Sequence, residues 1–296
     1  MRYKLAKLVD GLLLLLLTAG CDAFESHPYS TKIEGKRNIN AVNSERIEKM
    51  NLTTPFKFAF ISDTQGMLDD TNDAMKAIKD MTGIQFVIHG GDQTDFGVIK
   101  EFMWCRNAME RSGLPFVAVI GNHDCLGNGD DVFAYIYGPE NFSFNAGGTH
   151  FVFLNTVALE YDYSHPVPDF NFIEEDIERV DSLNRIYPDS ITHTVVSMHA
   201  CPYDIQFNNN VAKPFNNYML MYPGMGEDDE VITDSAHPHS GSRARSFCIY
   251  GHKHSFSIDD IYDNGILYYR CPDIGKRSFF VFTITDEGYE FEKVDY

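Results

Sequence analysis

Hydrophobic residues occur in short continuous runs, and each run ends in polar residues that can bind ions. FKFAFIS is followed by Asp63, IQFVIHGG by Asp92 and LPFVAVIG by Asn122. Further along, THTVVSM ends at His199 and SFCIYG ends at His252. Runs of Val, Ile and Phe with little polar alternation are typical of strands in a sheet that is covered on both faces.

Helical patterns separate the first three runs. Residues 71–81 (TNDAMKAIKDM) and about 98–112 each place apolar side chains at helical spacing. Strands that alternate with helices predict βαβ units and a parallel sheet. Ligands of such sheets bind outside the carboxyl ends of the strands. We therefore expect the polar residues that follow the runs to meet at one edge.

The residues expected at this edge are suited to binding metal ions. They offer carboxylates, one amide oxygen and imidazoles, a set that suits Mn, Fe or Zn. Two carboxylates, an amide and three imidazoles are more than one tetrahedral ion needs. They match a pair of ions about 3.5–4 Å apart that share a bridging carboxylate, as in phosphatases and nucleases.

Composition and charge limit the partners. The chain has 296 residues, enough for one large domain or two small ones, and a formal net charge of -19. Such a charge repels DNA and RNA, so no nucleic-acid binding is expected. A phosphorylated substrate is still possible, because bound cations can reverse the local field.

The first 21 residues have the pattern of a secretory signal. A basic start precedes six leucines, Leu12 to Leu17, and the small residues of TAG lead to Cys21. This pattern resembles a bacterial lipoprotein signal, which implies an exported protein attached to the cell envelope through lipidated Cys21. An ordinary cleaved signal or a short anchor is the alternative. Residues 22–54 are predicted to be a polar tether, and residues 55–296 the folded domain.

The ordered motifs D-x-x, GDxxD, GNHD, MH and GHxH resemble those of the calcineurin-like metallophosphoesterase family, which includes purple acid phosphatases. The resemblance covers roughly residue 55 to the C-terminus. It implies a four-layer α/β sandwich with two mixed β-sheets inside and helices outside. The last third of the chain, with GILYYRCP and RSFFVFTIT, is predicted to be antiparallel and to form part of the second sheet.

The resemblance also implies a set of metal ligands. They are Asp63, Gln65, Asp92, Asn122, His199, His252 and His254. Asp92 is expected to bridge two divalent ions. Asp63 and His254 would complete the first site, and Asn122, His199 and His252 the second.

His123 and Asp124 are the candidate catalytic residues. In the family the histidine of GNH lies beside the phosphate and is not a metal ligand. The resemblance therefore assigns His123 as general acid or transition-state stabiliser, with Asp124 orienting and polarising it. The alternative is that His123 only forms hydrogen bonds to groups around the metal ligands and has no catalytic role. Three basic residues near the last motif are candidate phosphate contacts: Arg243, Arg245 and Lys253.

Gln65 departs from the family pattern, which usually has histidine there. Its amide oxygen can reach a similar distance, or it can hydrogen-bond a metal-bound water. As a neutral and poorer donor than imidazole, Gln65 predicts weaker binding of the first ion or a harder metal such as Mn or Mg.

The function implied is hydrolysis of a phosphate ester, in a small molecule or another ester substrate, by a metal-bridging hydroxide. Two alternatives remain open. The chain could be a non-catalytic envelope lipoprotein that keeps the fold as a binding module. It could also be a mononuclear metal hydrolase, if Gln65 leaves the first site empty.

Overall fold

The computed structural model describes residues 33–161, 166–226 and 245–296. The predicted signal, with Cys21, lies outside these residues, as does Arg243. The helices are α1 Ile39–Glu48, α2 Leu68–Asp80, α3 Ile99–Met109, α4 Gly129–Ile136, α5 Phe170–Ile186 and α6 Ala212–Met219. The strands are β1 Phe56–Ile61, β2 Ile84–His89, β3 Phe116–Ala118, β4 Phe142–Ala146, β5 Thr149–Phe153, β6 His193–Ser197, β7 Phe247–Tyr250, β8 Ser257–Asp260, β9 Leu267–Arg270, β10 Ser278–Ile284 and β11 Tyr289–Asp295.

Two mixed sheets form the centre of the fold. The first has the order β11-β10-β1-β2-β3, with β1, β2 and β3 parallel and β10 antiparallel to both of its neighbours. The second has the order β4-β5-β6-β7-β9-β8, with its four central strands parallel. The predicted fold class is confirmed. The prediction for the last third was wrong in two respects, because β10 and β11 belong to the first sheet and β9 pairs parallel with β7.

Side-chain alternation along the strands explains the layering. In β1, Ala59 and Ile61 pack with α2, whereas Phe58 and Phe60 face the second sheet. Phe58 stacks on Phe86 and meets Phe151 of β5 edge-on, with ring centroids 5.3 and 5.5 Å apart. A third buried cluster joins the outer face of the second sheet to α5 and α6. Each sheet is therefore covered on both faces, as the continuous apolar runs predicted.

The predicted tether contains a folded helix, so the prediction was wrong for this part of the chain. In α1, Ile39 and Ile47 are buried. The Asn40 side chain donates to the Ala118 carbonyl (2.9 Å) and accepts from the Ala118 N–H (2.8 Å). The helix thereby covers β3, the edge strand of the first sheet. Within the described ranges no helix combines the length and the apolar character needed to cross a bilayer.

Candidate metal centre

The ends of strands from both sheets meet at one place. Asp63 follows β1 and Asp92 follows β2, while His199 follows β6 of the second sheet. Two groups of side chains bring ligand atoms within 4.8 Å of one another. The first is Asp63, Asp92 and His254, and the second is Asp92, His199 and His252. Asp92 belongs to both groups.

The backbone at four of these residues adopts the left-handed conformation. Asp63 has φ 53°, Asp92 55°, His252 72° and His254 51°. This conformation costs non-glycine residues roughly 1–3 kcal/mol and is concentrated at functional sites. Four of the ten described non-glycine residues with positive φ are thus predicted ligands.

In the first group, the carboxylate of Asp63 is fixed by the backbone N–H of His252, 3.1 Å from both oxygens. His254 Nε2 lies 3.4 Å from Asp63 Oδ1. Gln65 Nε2 lies 3.4 Å from Asp92 Oδ2 and 3.3 Å from His254 Nε2. The Gln65 amide oxygen is buried and has no hydrogen-bond partner among the described residues.

In the second group, His199 Nε2 lies 3.1 Å from Asn122 Oδ1 and 3.3 Å from Asp92 Oδ2. Its other nitrogen, Nδ1, donates to the Gly90 carbonyl at 2.8 Å. The His252 ring lies edge-on to the His199 ring, with centroids 5.2 Å apart. The structure therefore brings together all seven predicted ligands.

Comparison with known proteins identifies the family. The family model of calcineurin-like phosphoesterases matches residues 56–256, which include every predicted ligand. The chain belongs to the calcineurin-like phosphoesterase family. It is therefore a phosphoric ester hydrolase, and membership implies a dinuclear centre of divalent metal ions. None of the curated proteins compared with this phosphoesterase matches its sequence.

Solved structures share the fold at low sequence identity. A dimetal phosphatase from Danio rerio is 12% identical with a TM-score of 0.55, and the alignment covers 82% of this chain and 99% of that one. A purple acid phosphatase from yellow lupin seeds is 14% identical with a TM-score of 0.51, covering 82% and 52%. The anchor in the inner membrane complex of Plasmodium is also 14% identical with a TM-score of 0.51, covering 81% and 84%.

The donor set of this phosphoesterase fits two divalent ions. Because a carbonyl only accepts, the bond to Gly90 places a proton on His199 Nδ1 and leaves Nε2 free as a ligand. The amide oxygen of Gln65 has no hydrogen-bond partner among the described residues, and rotation of the amide would bring this oxygen to the cluster in place of the nitrogen. Carboxylates, amide oxygens and imidazoles are ligands for Mn, Fe and Zn.

The electric field of the cluster favours a cation. Burial opposes a charge on His199, yet the nearby carboxylates, Asp92 above all, raise the pKa of His199 to about 10. Asp92 is likewise desolvated, but His199 holds the pKa of Asp92 below its ordinary value. The side-chain hydrogen bond to Asp63 raises the pKa of His254. A site that stabilises imidazolium in this way would also attract a metal cation.

His123 lies beside the cluster, but its predicted contact with Asp124 is wrong. The backbone N–H of His123 donates to Asp92 Oδ1 at 2.9 Å. Its ring nitrogen Nδ1 lies 3.0 Å from the Asp95 carbonyl, which only accepts. The ring is therefore oriented by the backbone of the Asp92 loop.

Asp124 instead joins two ligand loops. Its buried carboxylate accepts from the backbone N–H groups of Gln93 (2.9 Å) and Thr94 (3.0 Å) through one oxygen, and from Gly121 (3.0 Å) through the other. Burial and then the charge of Asp92 raise the pKa of Asp124 to about 7. Sequence adjacency suggested the wrong partner, because the side chain turns away from the preceding ring.

Of the predicted phosphate contacts, the two described ones are not free at this edge. Lys253 pairs with Asp204, a buried carboxylate that the sequence reasoning missed. Arg245 lies near the start of β6, at the opposite end of the strand from His199, where burial and the charge of Arg245 lower the pKa of His193. No local signal distinguished Asp204 from other acidic loop residues.

Proposed function

We propose that this phosphoesterase hydrolyses phosphate esters at two divalent ions held by the two side-chain groups that share Asp92. The single observation that supports this most strongly is the shared carboxylate, 1% exposed, between ligands from both sheets. When bound, the ions would supply Lewis acidity and lower the pKa of water to about 7. The ions would thereby supply an activated water for attack on phosphorus, and no nucleophile from the protein would be needed.

His123 would assist the leaving group. Its Nδ1 proton is held by the Asp95 carbonyl, so the nitrogen that can exchange a proton with substrate is Nε2. The half-buried ring is anchored through its own backbone to Asp92. In its imidazolium form, with a proton on both nitrogens, His123 would donate the Nε2 proton to the departing oxygen, or it would stabilise charge there.

A covalent cysteine intermediate is disfavoured. The five described cysteines are free thiols, and burial raises the pKa of Cys105 to about 12 and that of Cys201 to about 11. Burial also raises the pKa of Cys125, the cysteine that follows the GNHD motif. Protonated thiols are poor nucleophiles, which supports direct attack by water.

The two ion sites have donor atoms of different hardness. The first combines Asp63, Asp92 and the Gln65 amide with one imidazole, whereas the second contains two imidazoles. Oxygen donors favour Mn or Mg, and imidazole favours Zn or Fe. We infer that the first site takes the harder ion and exchanges it more readily.

Asp92→Asn tests the proposal. The variant should fold normally but lose more than about 100-fold in turnover of p-nitrophenyl phosphate and bis-p-nitrophenyl phosphate. Even residues that only hydrogen-bond to a metal ligand contribute about 10–100-fold to metal affinity or activity. Metal analysis should show fewer ions per chain than in the wild type. The exposed Asp263→Asn is the matched charge control. Near-wild-type turnover of Asp92→Asn would contradict the bridging assignment.

The same measurements separate the alternatives. A mononuclear hydrolase would be favoured if the wild type binds one ion per chain and the Gln65→His variant binds two. No turnover with Mn, Fe or Zn in folded protein would favour a binding module, a role consistent with the Plasmodium anchor that shares the fold.

We also propose that the protein is exported and attached to lipid at Cys21, a proposal that rests on the signal pattern. Cys21→Ala should abolish incorporation of labelled fatty acid.

A further inference from the structure

Asp204 is a buried carboxylate outside the predicted ligand set that contacts the GHKH turn twice. Its side chain is 1% exposed. Oδ1 lies 3.2 Å from His252 Nε2, and Oδ2 lies 2.9 Å from Lys253 Nζ. One carboxylate thus contacts two consecutive residues between β7 and β8, one of which is a predicted ligand.

The loop after β6 holds Asp204 in place by bonds of its own. The Asp204 N–H donates to the Cys201 carbonyl at 3.1 Å, and Oδ1 accepts from the Gln206 N–H at 2.9 Å. The Asn209 side chain donates to the Asp204 carbonyl at 2.8 Å and accepts from the Tyr203 N–H at 2.8 Å. Asp204 is therefore oriented independently of the turn that it contacts.

The contact determines which nitrogen of His252 can bind a metal ion. The Gln206 N–H donates to Oδ1 and the Lys253 ammonium pairs with Oδ2, which is the pattern of an ionised carboxylate that only accepts. An ionised carboxylate only accepts, so His252 Nε2 carries the proton and Nδ1 keeps its lone pair. Metal-binding histidines commonly donate their second N–H to a carboxylate in this way.

The Lys253 pair contributes less. Its ammonium is about half exposed, with 48% of the side chain accessible, and such pairs add little to stability. The effect of Asp204 therefore acts mainly through His252. The pair also occupies the Lys253 ammonium, which the sequence suggested as a phosphate contact.

We propose that Asp204 is a positioning residue of the second ion site, which fixes His252 as the tautomer that binds metal through Nδ1. Asp204 belongs to neither of the two groups of converging ligand atoms, and its oxygens contact the side chains of His252 and Lys253 instead. It connects the loop after His199 to the turn that carries His252, two ligands of the same ion. This inference rests on the dinuclear centre proposed above.

The test compares Asp204→Ala with Asp204→Asn, which keeps an oxygen acceptor of the same shape. Ion-free protein is titrated with Zn²⁺ by calorimetry, in a His254→Ala background that weakens the first site. Long-range ¹H–¹⁵N NMR of the ion-free protein reports the His252 tautomer. Circular dichroism and thermal unfolding verify that each variant is folded.

Asp204→Ala should weaken Zn²⁺ binding about 10–100-fold, as loss of a carboxylate behind a histidine ligand commonly does. His252 should then show a mixture of tautomers. Asp204→Asn should lose less affinity and retain the Nε2-protonated form. Lys253→Met and Asp263→Asn, which remove the other partner and an exposed carboxylate, should stay within about 3-fold of the background.

Two results would overturn the proposal in different ways. If the background protein binds Zn²⁺ and Asp204→Ala binds it equally well, the positioning role is wrong and the proposed function stands. If the protein without any substitution binds no divalent ion, the proposed function fails, and the inference fails with it. An Nδ1-protonated His252 in the unsubstituted protein would also exclude the assigned tautomer.

Discussion

At the scale of single residues, the site depends on glycines that allow loops from the two sheets to touch. A Cβ atom at Gly251 would overlap the Ser62 hydroxyl and the Asp63 carboxylate. A Cβ atom at Gly121 would overlap the backbone nitrogen and the carboxylate of Asp92. The glycines of GHKH and GNHD are therefore required by close approach to carboxylates from other strands, and neither has a positive φ.

We expect Gly251→Ala to weaken metal binding at the first site, because the methyl group must displace Asp63. Titration of ion-free protein with Mn²⁺ should show at least about a 10-fold loss of affinity, comparable to loss of a supporting contact. Gly113→Ala is the control. Gly113 has φ 75°, and a Cβ atom placed there would have no other atom within 4 Å. The substitution should therefore cost about 1 kcal/mol of stability and leave the Mn²⁺ affinity unchanged.

At the scale of elements, α1 is part of the domain because its side chains form hydrogen bonds with backbone groups of the edge strand β3. Unpaired backbone groups at a sheet edge are prone to pair with other chains. In β3 the Ala118 N–H and carbonyl both bond to the Asn40 side chain, and the Phe116 carbonyl accepts from Asn43 at 2.7 Å. Two asparagines thus replace a neighbouring strand.

Asn40→Ala should destabilise the protein by about 2–4 kcal/mol, because it leaves two buried backbone groups of Ala118 without partners. Urea unfolding of the wild type and the variant measures the difference. Asn217→Ala, on the exposed face of α6, makes the same chemical change and should alter the free energy of unfolding by less than about 0.5 kcal/mol. Equal effects of the two substitutions would show that α1 does not depend on this contact.

At the scale of the whole molecule, the proposed ion site joins the two sheets. The first sheet supplies Asp63, Asp92 and Asn122, and the second supplies the histidines. Between the sheets lies an aromatic core that includes Phe58, Phe86, Phe151 and Phe282. Bound ions would therefore add a polar link at one edge of an interface that is otherwise hydrophobic.

Removal of metal should lower thermal stability. A ligand that binds only the folded state stabilises it by about 2.7 kcal/mol at 100 times its dissociation constant. Chelation followed by scanning calorimetry should lower the Tm by several degrees, and added Mn²⁺ or Zn²⁺ should restore it. In Asp92→Asn, which lacks the shared ligand, the same treatment should shift the Tm much less. An equal shift in both proteins would place the bound ions elsewhere.

The sequence by itself determined that the strands are covered on both faces and that polar residues follow them at one edge. Continuous apolar runs require a sheet covered on both faces, and polar residues after parallel strands must meet at one edge. Both features follow from local patterns. The family motifs added the metal ligands, and the structure brings those side chains together.

Only the tertiary structure decided which groups support those ligands. Asp204 contacts His252 across 48 positions, Asp124 bonds to the Asp92 loop and not to the adjacent ring, and α1 packs on β3. The sheet to which β10 belongs was decided in the same way. These contacts depend on how distant loops pack. An acidic loop residue or a polar helix has the same local pattern whether it is exposed to solvent or buried against a partner.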